Sequence, residues 1–286
     1  MKVGFIGLGN MGLPMAEGLV AAGFEVAGFD VAPISSDAVR LADTAREAVA
    51  GAEAVILMLN RGDIVADVLS DILPVMVAGA HLIDCSTIDV ASARANEASC
   101  KAHHIPYLDA PVSGGVAAAA AGSLTFMVGG TKEALDFAMP LLEVMGQKIV
   151  HCGDSGAGQA AKICNNMILG ITMIGTCEAF ALADQLGLSR QKMYDVVSGA
   201  SGQSWSMTSY CPAKGVGPQT PADNDYKPGF SADLMLKDLR LAQSASDDAG
   251  MTTQMGALAT ELYRRFVEEG QGSGKDFSAM LEDMTS

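Results

Sequence analysis

Basic residues and aromatics are both scarce in this chain: 18 Lys and Arg face 33 Asp and Glu, and aromatics make up 5% of 286 residues, with one tryptophan. A formal net charge of −15 and the lack of any Lys/Arg run argue against a nucleic-acid partner, which would normally meet a basic patch. The six cysteines, Cys85, Cys100, Cys152, Cys164, Cys177 and Cys211, include no C-x-x-C pair and no compact Cys/His cluster. That argues against a disulfide framework or a structural zinc and for a reducing compartment, so a cytoplasmic location is expected. His81, His103, His104 and His151 show no ligand spacing, and no metal is expected. The chain enters an apolar strand-like run straight after Met1-Lys2, so no signal or transit peptide is expected.

Apolar residues are plentiful, at 49% against 18% charged, which is enough for a large core and argues against disorder. The length suits two domains of ordinary size. Seventeen methionines are read as core gap-fillers. The segment from Ile163 to Ala183 is apolar and long enough to cross a bilayer, but it holds Asn165, Asn166 and Glu178, all costly at membrane depth. A buried central helix is expected there and no membrane partner.

The first half alternates short β-like runs with helical spacing. Strands are expected at Val3–Ile6, Glu25–Asp30, Ala54–Leu59, His81–Asp84, Tyr107–Asp109, Leu124–Val128 and Lys148–Val150, with a helix over Met11–Ala22. Repeated βαβ units imply a doubly wound, mainly parallel sheet. From Gly158 onward only helical spacing is found. Ser189 is expected to cap a helix through Val197, further helices are expected over Phe230–Ala249 and Thr253–Glu269, and Gly199–Gly229 reads as a long ordered loop. The expected fold is α/β: a Rossmann-type doubly wound sheet domain over 1–160, followed by an all-α helical domain over 161–286.

The opening strand runs into Gly7-Leu8-Gly9-Asn10-Met11-Gly12, a G-x-G-x-x-G in the strand-to-helix setting a dinucleotide fold requires. Gly7 serves the tight turn, Gly9 the close approach of backbone to a pyrophosphate, and Gly12 the packing of helix on strand. Asn10 and Met11 belong to the same phosphate-binding turn, whose free N–H groups attract phosphate. Asp30 ends the second strand 18 residues after Gly12, placed to accept from the adenosine ribose hydroxyls. A carboxylate there repels a 2′-phosphate, so NAD is favoured over NADP.

Two further segments carry chemistry. Asp109-Ala110-Pro111-Val112-Ser113-Gly114-Gly115 follows a strand, and its Ser hydroxyl and glycine amides suit a carboxylate. In Gly156-Ala157-Gly158-Gln159-Ala160-Ala161-Lys162-Ile163-Cys164-Asn165-Asn166, Lys162 and Asn166 stand four apart and share a helix face at the expected domain junction. Desolvation lowers an ammonium pKa toward the range where general acid–base catalysis works, although a lysine in isolation reads as a snorkelling one.

Taken in order, these motifs resemble the β-hydroxyacid dehydrogenase family. The resemblance runs from Gly4 to about Phe277 and includes Asp84-Cys85-Ser86-Thr87-Ile88-Asp89, Ser201-Gly202 with Trp205, Gly229-Phe230 and Lys237-Asp238-Leu239. It implies that Lys162 is the catalytic lysine, that Asn166 helps hold substrate, and that Ser113, Gly114 and Gly115 grip its carboxylate. It also implies that Thr87, Leu59 and Lys237 contact NAD, with Asn60 where the family usually has proline. Trp205 and Phe230 are placed near substrate, or serve packing alone. The reaction implied is oxidation of (S)-3-hydroxyisobutyrate to methylmalonate semialdehyde, a step of valine degradation, by a homodimer or homotetramer. The sister activities are tartronate or succinic semialdehyde reduction and threonate oxidation. An inert binding module on the same fold and an imine reductase are both disfavoured by the presence of Lys162.

Overall fold

A computed structural model describes residues 1–285. The chain divides into two compact units, Met1–Lys162 and the residues from Ile163 onward. The first unit carries nine strands: β1 (Lys2–Ile6), β2 (Glu25–Phe29), β3 (Arg40–Leu41), β4 (Ala54–Leu57), β5 (His81–Asp84), β6 (Tyr107–Asp109), β7 (Val112–Ser113), β8 (Leu124–Gly130) and β9 (Gly146–Gly153). Between them run α1 (Gly12–Ala21), α2 (Ala45–Val49), α3 (Gly62–Ile72), α4 (Val90–Ala102), α5 (Gly115–Ala120) and α6 (Lys132–Met145). The strand order is β3-β2-β1-β4-β5-β6-β8-β7, with β9 also beside β8. Strands β1 to β6 are mutually parallel, β8 runs antiparallel to β6 and β7, and β9 runs parallel to β8.

The continuous apolar runs of β1 and β4 are buried on both faces, as parallel strands between helical layers must be. The pleat sends Phe5 and Ile56 into one core with Met15, Leu19, Phe126 and Leu141. It sends Ile6, Val55 and Leu57 into the other, with Val65, Leu69 and Tyr107. Each fully buried side chain of this size contributes about 2 kcal/mol of transfer free energy. Several helices begin on a side-chain cap: Asp89 Oδ1 accepts from Ser92 N at 2.7 Å, and Thr131 Oγ1 from Ala134 N at 3.2 Å. Helix α1 has none, for Met11 stands at its N-cap position. Strand β1 lies between β2 and β4, so the chain leaves it to both sides. In such sheets a crevice opens at the strands' carboxyl ends, where ligands bind.

Helix α7 (Ala157–Gln185) starts in the first unit and is followed in the second by α8 (Arg190–Val197), α9 (Trp205–Thr208), α10 (Ala232–Asp248), α11 (Gln254–Glu268) and α12 (Met280–Thr285). Among the described residues the second unit has no strand, only an isolated bridge between Ser231 and Asp276. Its core gathers Met173, Cys177, Phe180, Met235, Leu239 and Tyr263. Ser189 caps α8 as expected, accepting from Lys192 N at 3.4 Å.

Three local features differ from expectation. The two-residue strands β3 and β7 are too short to leave a periodic signal. Helix α7 begins six residues before Ile163, inside a glycine-rich stretch. The segment from Gly199 to Gly229 contains α9 and a 3-10 turn over Pro221–Asn224, and side chains fasten it to its own backbone, as in Thr220 Oγ1 to Cys211 O and Tyr226 OH to Pro212 O, both 2.8 Å.

Candidate active site

The fingerprint glycines divide into two kinds. A Cβ on Gly12 would lie 1.8 Å from Gly7 O, and one on Gly7, whose φ is +94°, would lie 2.3 Å from Met58 O. The fold itself therefore requires glycine at both. A Cβ on Gly9 would meet nothing within 4 Å, so its reason lies outside the chain. Open space over Gly9, beside a helix start that no side chain caps, fits a pyrophosphate on the amides of the Asn10-Met11 turn. Asp30 directly follows β2. Its Oδ2 accepts from Leu8 N at 2.7 Å and its Oδ1 from Ala32 N at 2.8 Å. These bonds hold the carboxylate beside the fingerprint turn, and each oxygen keeps a lone pair for a ribose hydroxyl.

The ends of β4 and β5 are tied together. Leu59 N donates to Ser86 Oγ at 2.9 Å, with exposed Asn60 following it, and Ser86 N donates to Asp84 Oδ1 at 3.0 Å. Asp84 Oδ2 accepts from Tyr107 OH at 3.2 Å. Burial pushes the Asp84 carboxyl up to about 6 despite these donors. Thr87, half-buried, lies in the next loop.

The start of α7 is built differently from that of α1. Asp109, fully buried at the end of β6, accepts from Gly156 N at 2.7 Å through Oδ1 and from Gln159 N at 2.9 Å through Oδ2. Burial raises its pKa, and the Gly156 and Gln159 amides oppose the rise. A Cβ on Gly158 would lie 2.4 Å from Met127 O and 2.8 Å from Asp109 Oδ2, so glycine is what lets the helix reach the sheet. Gln159, fully buried, donates from Nε2 to Ser86 O at 2.8 Å and accepts at Oε1 from Ile88 N at 3.1 Å. Lys162 follows one turn later, 7% exposed.

Ser113 lies in β7, and Gly114 and Gly115, with φ of +135° and +70°, lead into α5. The expected glycine loop is therefore a strand end and a helix start, bent by two left-handed residues. In the second unit, Asn166 Oδ1 accepts from Asn165 Nδ2 at 2.9 Å and its Nδ2 donates to Asp238 Oδ2. Lys237 Nζ lies 3.2 Å from Asp238 Oδ1. Asn166, Asp238 and Lys237 thus form one cluster.

Site reasoning from sequence missed three residues: Gln159, Asp109 as a helix anchor, and Asp238 as the link between Asn166 and Lys237. A signal for Gln159 was present. It is a polar residue among alanines and glycines, three before Lys162 and on the same face.

Together the sheet order, the fingerprint with its open Gly9 and the acidic end of β2 define a Rossmann-type nicotinamide-dinucleotide oxidoreductase. Residues 2–153 match the model described as the NAD binding domain of 6-phosphogluconate dehydrogenase. Residues 156–284 match the one described as NAD-binding of NADP-dependent 3-hydroxyisobutyrate dehydrogenase. A probable 3-hydroxyisobutyrate dehydrogenase of Mycobacterium tuberculosis is 46% identical over 287 residues, 99% of this chain and 97% of that protein. An NAD-dependent L-serine dehydrogenase of Pseudomonas aeruginosa is 44% identical, over 98% of this chain and 96% of that protein. The solved structure of a Mycobacterium tuberculosis 3-hydroxyisobutyrate dehydrogenase with L-serine superposes with a TM-score of 0.93 at 46% identity, covering 100% of this chain and 99% of that one. The chain belongs to the 3-hydroxyisobutyrate dehydrogenase family of β-hydroxyacid dehydrogenases, and it is an NAD-dependent oxidoreductase of that family.

Proposed function

We propose that the chain oxidises (S)-3-hydroxyisobutyrate to methylmalonate semialdehyde in valine degradation, with Lys162 as the general base. The observation that carries the chemistry is a buried lysine on the first turns of a helix anchored to the carboxyl edge of a dinucleotide-binding sheet. The choice of acid is supported by the whole-length likeness to a 3-hydroxyisobutyrate dehydrogenase. NAD, when bound, supplies the acceptor for the hydride. The residues of this chain do the rest. The Ser113 hydroxyl and the Gly114 and Gly115 amides bind the substrate carboxylate, and Asn166, one turn beyond Lys162 on α7, orients the substrate. Lys162 Nζ, in its neutral form, takes the hydroxyl proton as the C–H bond breaks, and the carbonyl oxygen is left in reach of the resulting ammonium. The roles of Thr87, Leu59, Asn60 and Lys237 toward NAD rest on the motifs they occupy.

A second reading, L-serine oxidation, is favoured by the L-serine dehydrogenase relative. L-serine has the same carboxylate and β-hydroxyl, with an ammonium where 3-hydroxyisobutyrate has a methyl. A panel of 3-hydroxyisobutyrate, L-serine, tartronate semialdehyde, succinic semialdehyde and threonate, each with NAD or NADH, decides by kcat/KM. A higher value for any other acid overturns the substrate assignment. Changing Lys162 to Ala is expected to lower kcat by about 1,000-fold or more and to leave the Kd for NAD within about threefold. Near-normal turnover overturns the mechanism.

We also propose a cytoplasmic homodimer or homotetramer whose partner is a small acid rather than a membrane or nucleic acid. Exposed Ile168 and Leu182, 59% and 60% accessible and 14 residues apart on α7, support self-association. Helix α7 is long and apolar enough to cross a membrane, but Met173, Cys177 and Phe180 place it in the core of the second unit. Light scattering and cell fractionation test the assembly and the location.

A further inference from the structure

A polar chain links the carboxyl ends of β4, β5 and β6 to the start of α7. Leu59 N donates to Ser86 Oγ at 2.9 Å, and Ser86 O accepts from Gln159 Nε2 at 2.8 Å. Gln159 Oε1 then accepts from Ile88 N at 3.1 Å, and its own backbone N–H donates to Asp109 Oδ2 at 2.9 Å. Ser86, Gln159 and Asp109 are all fully buried, so the three bonds that Gln159 makes are shielded from water, while the Leu59–Ser86 bond is half-buried. The Gln159 amide meets one carbonyl and one N–H, so only one orientation of its oxygen and nitrogen satisfies both. Its two ends grip Ser86 and Ile88, the neighbours of Thr87 on either side. The bonds leave Gln159 no freedom to turn about the helix axis, and Lys162 lies three residues on along the same face.

We propose that Gln159 is a positioning residue: it sets the rotation of the first turn of α7 against the Leu59 and Thr87 loops, and so fixes where Lys162 Nζ stands relative to the nicotinamide dinucleotide. This rests on Lys162 being the general base. The Gln159 side chain takes one backbone group on each side of Thr87 in the sequence, the Ser86 carbonyl and the Ile88 amide. The Asp109 carboxylate alone already satisfies the two helix amides nearest to it. Gln159 adds the lateral restraint. A displacement of about 1 Å at the proton acceptor costs as much as 100-fold in rate, because the reacting atoms must be held at near-contact distance and in line.

The test is a cycle of Gln159→Leu, Lys162→Ala and the double variant, with single-turnover NADH formation, KM, the Kd for NAD and the unfolding midpoint measured for each. Gln159→Leu is expected to lower the hydride-transfer rate by about 30-fold, with KM and the Kd for NAD within about threefold. The double variant is expected to be no slower than Lys162→Ala alone, because a positioning residue has nothing left to position. Multiplying losses in the double variant, or a loss in Gln159→Leu that falls on KM or on NAD binding, overturns the proposal. Near-normal turnover in Lys162→Ala alone overturns the Lys162 mechanism, and this proposal with it. The same-sized Gln159→Glu guards against a folding defect. A carboxyl there donates to Ser86 O only while protonated, so its rate relative to wild type is expected to rise as pH falls. A ratio flat across pH, in a variant that unfolds at the wild-type midpoint, overturns the proposal.

Discussion

Gly7-Leu8-Gly9 leads into α1 and Gly156-Ala157-Gly158 opens α7 at the carboxyl edge of the same sheet, yet one start is left open and the other is filled. At α1 no side chain caps the helix, and the space over Gly9 is empty of chain. At α7 the corresponding place is taken by Asp109, whose oxygens accept from Gly156 N and Gln159 N. A helix N-terminus attracts negative charge in either case. Where the chain supplies that charge, the helix is a fixed mount for Lys162. Where it does not, the helix is a binding site for phosphate.

The strongest way to break this comparison is Gly12→Ala. Its Cβ would overlap Gly7 O at 1.8 Å, so α1 must move away from β1. The expected loss is about 3 kcal/mol of stability, with NAD affinity lowered by about 100-fold. Denaturant melts and an NAD titration read the two effects.

Asp109→Ala comes next. It leaves two buried amides, Gly156 just before α7 and Gln159 in its first turn, without an acceptor, at about 1–3 kcal/mol each. The expected outcome is a lower denaturant midpoint and a large fall in kcat, while NAD still binds at α1. Equal losses of NAD binding and turnover would show that the two helix starts are not separate devices.

Asp84 is the internal control, a buried carboxylate at no helix start. In the unfolded chain its proton leaves near pH 4, whereas the fold holds it to about 6. Between these values the unfolded state binds fewer protons, so this group makes stability fall as pH rises, by up to about 3 kcal/mol above pH 6. Asp84→Asn is expected to remove that fall, seen as a flatter difference between unfolding free energies at pH 5 and pH 7.5. In Asp84→Asn the amide oxygen can replace Oδ1 as acceptor for Ser86 N, and the amino group in place of Oδ2 then donates to the Tyr107 hydroxyl oxygen.

The smallest effect on the fold belongs to Gly9→Ala. A methyl there has open space, and the apo protein should keep its midpoint within about 0.5 kcal/mol. NAD affinity should fall about tenfold, because the pyrophosphate loses its close approach. A loss of stability without a loss of NAD affinity would undo the distinction between Gly9 and Gly12.

Much of this was legible without coordinates. The strands from Val3, Ala54 and His81 announced themselves because buried parallel strands are continuous apolar runs, and Ser189 announced α8 because a serine hydroxyl caps a free amide. Fingerprint, Asp30 and the Lys162–Asn166 spacing were local patterns, readable for the same reason. Asp109 was read within a carboxylate-binding motif, and its bonds to Gly156 and Gln159 span 47 and 50 residues. Asp238 was quoted beside Lys237, but its bond to Asn166 spans 72. No spacing rule reaches that far.

The sequence by itself determined the longer strands and helices, that a dinucleotide turn follows β1, and which lysine stands on an apolar helix. These follow from the periods of the elements and from what glycine, aspartate and lysine can do within a few residues. Only the tertiary structure decided which glycine-led helix start stays open and which is filled, and which polar side chain holds the mount of Lys162. Those outcomes depend on which carboxylate the strand order brings beneath each helix. That is a matter of packing and desolvation between residues far apart in the chain.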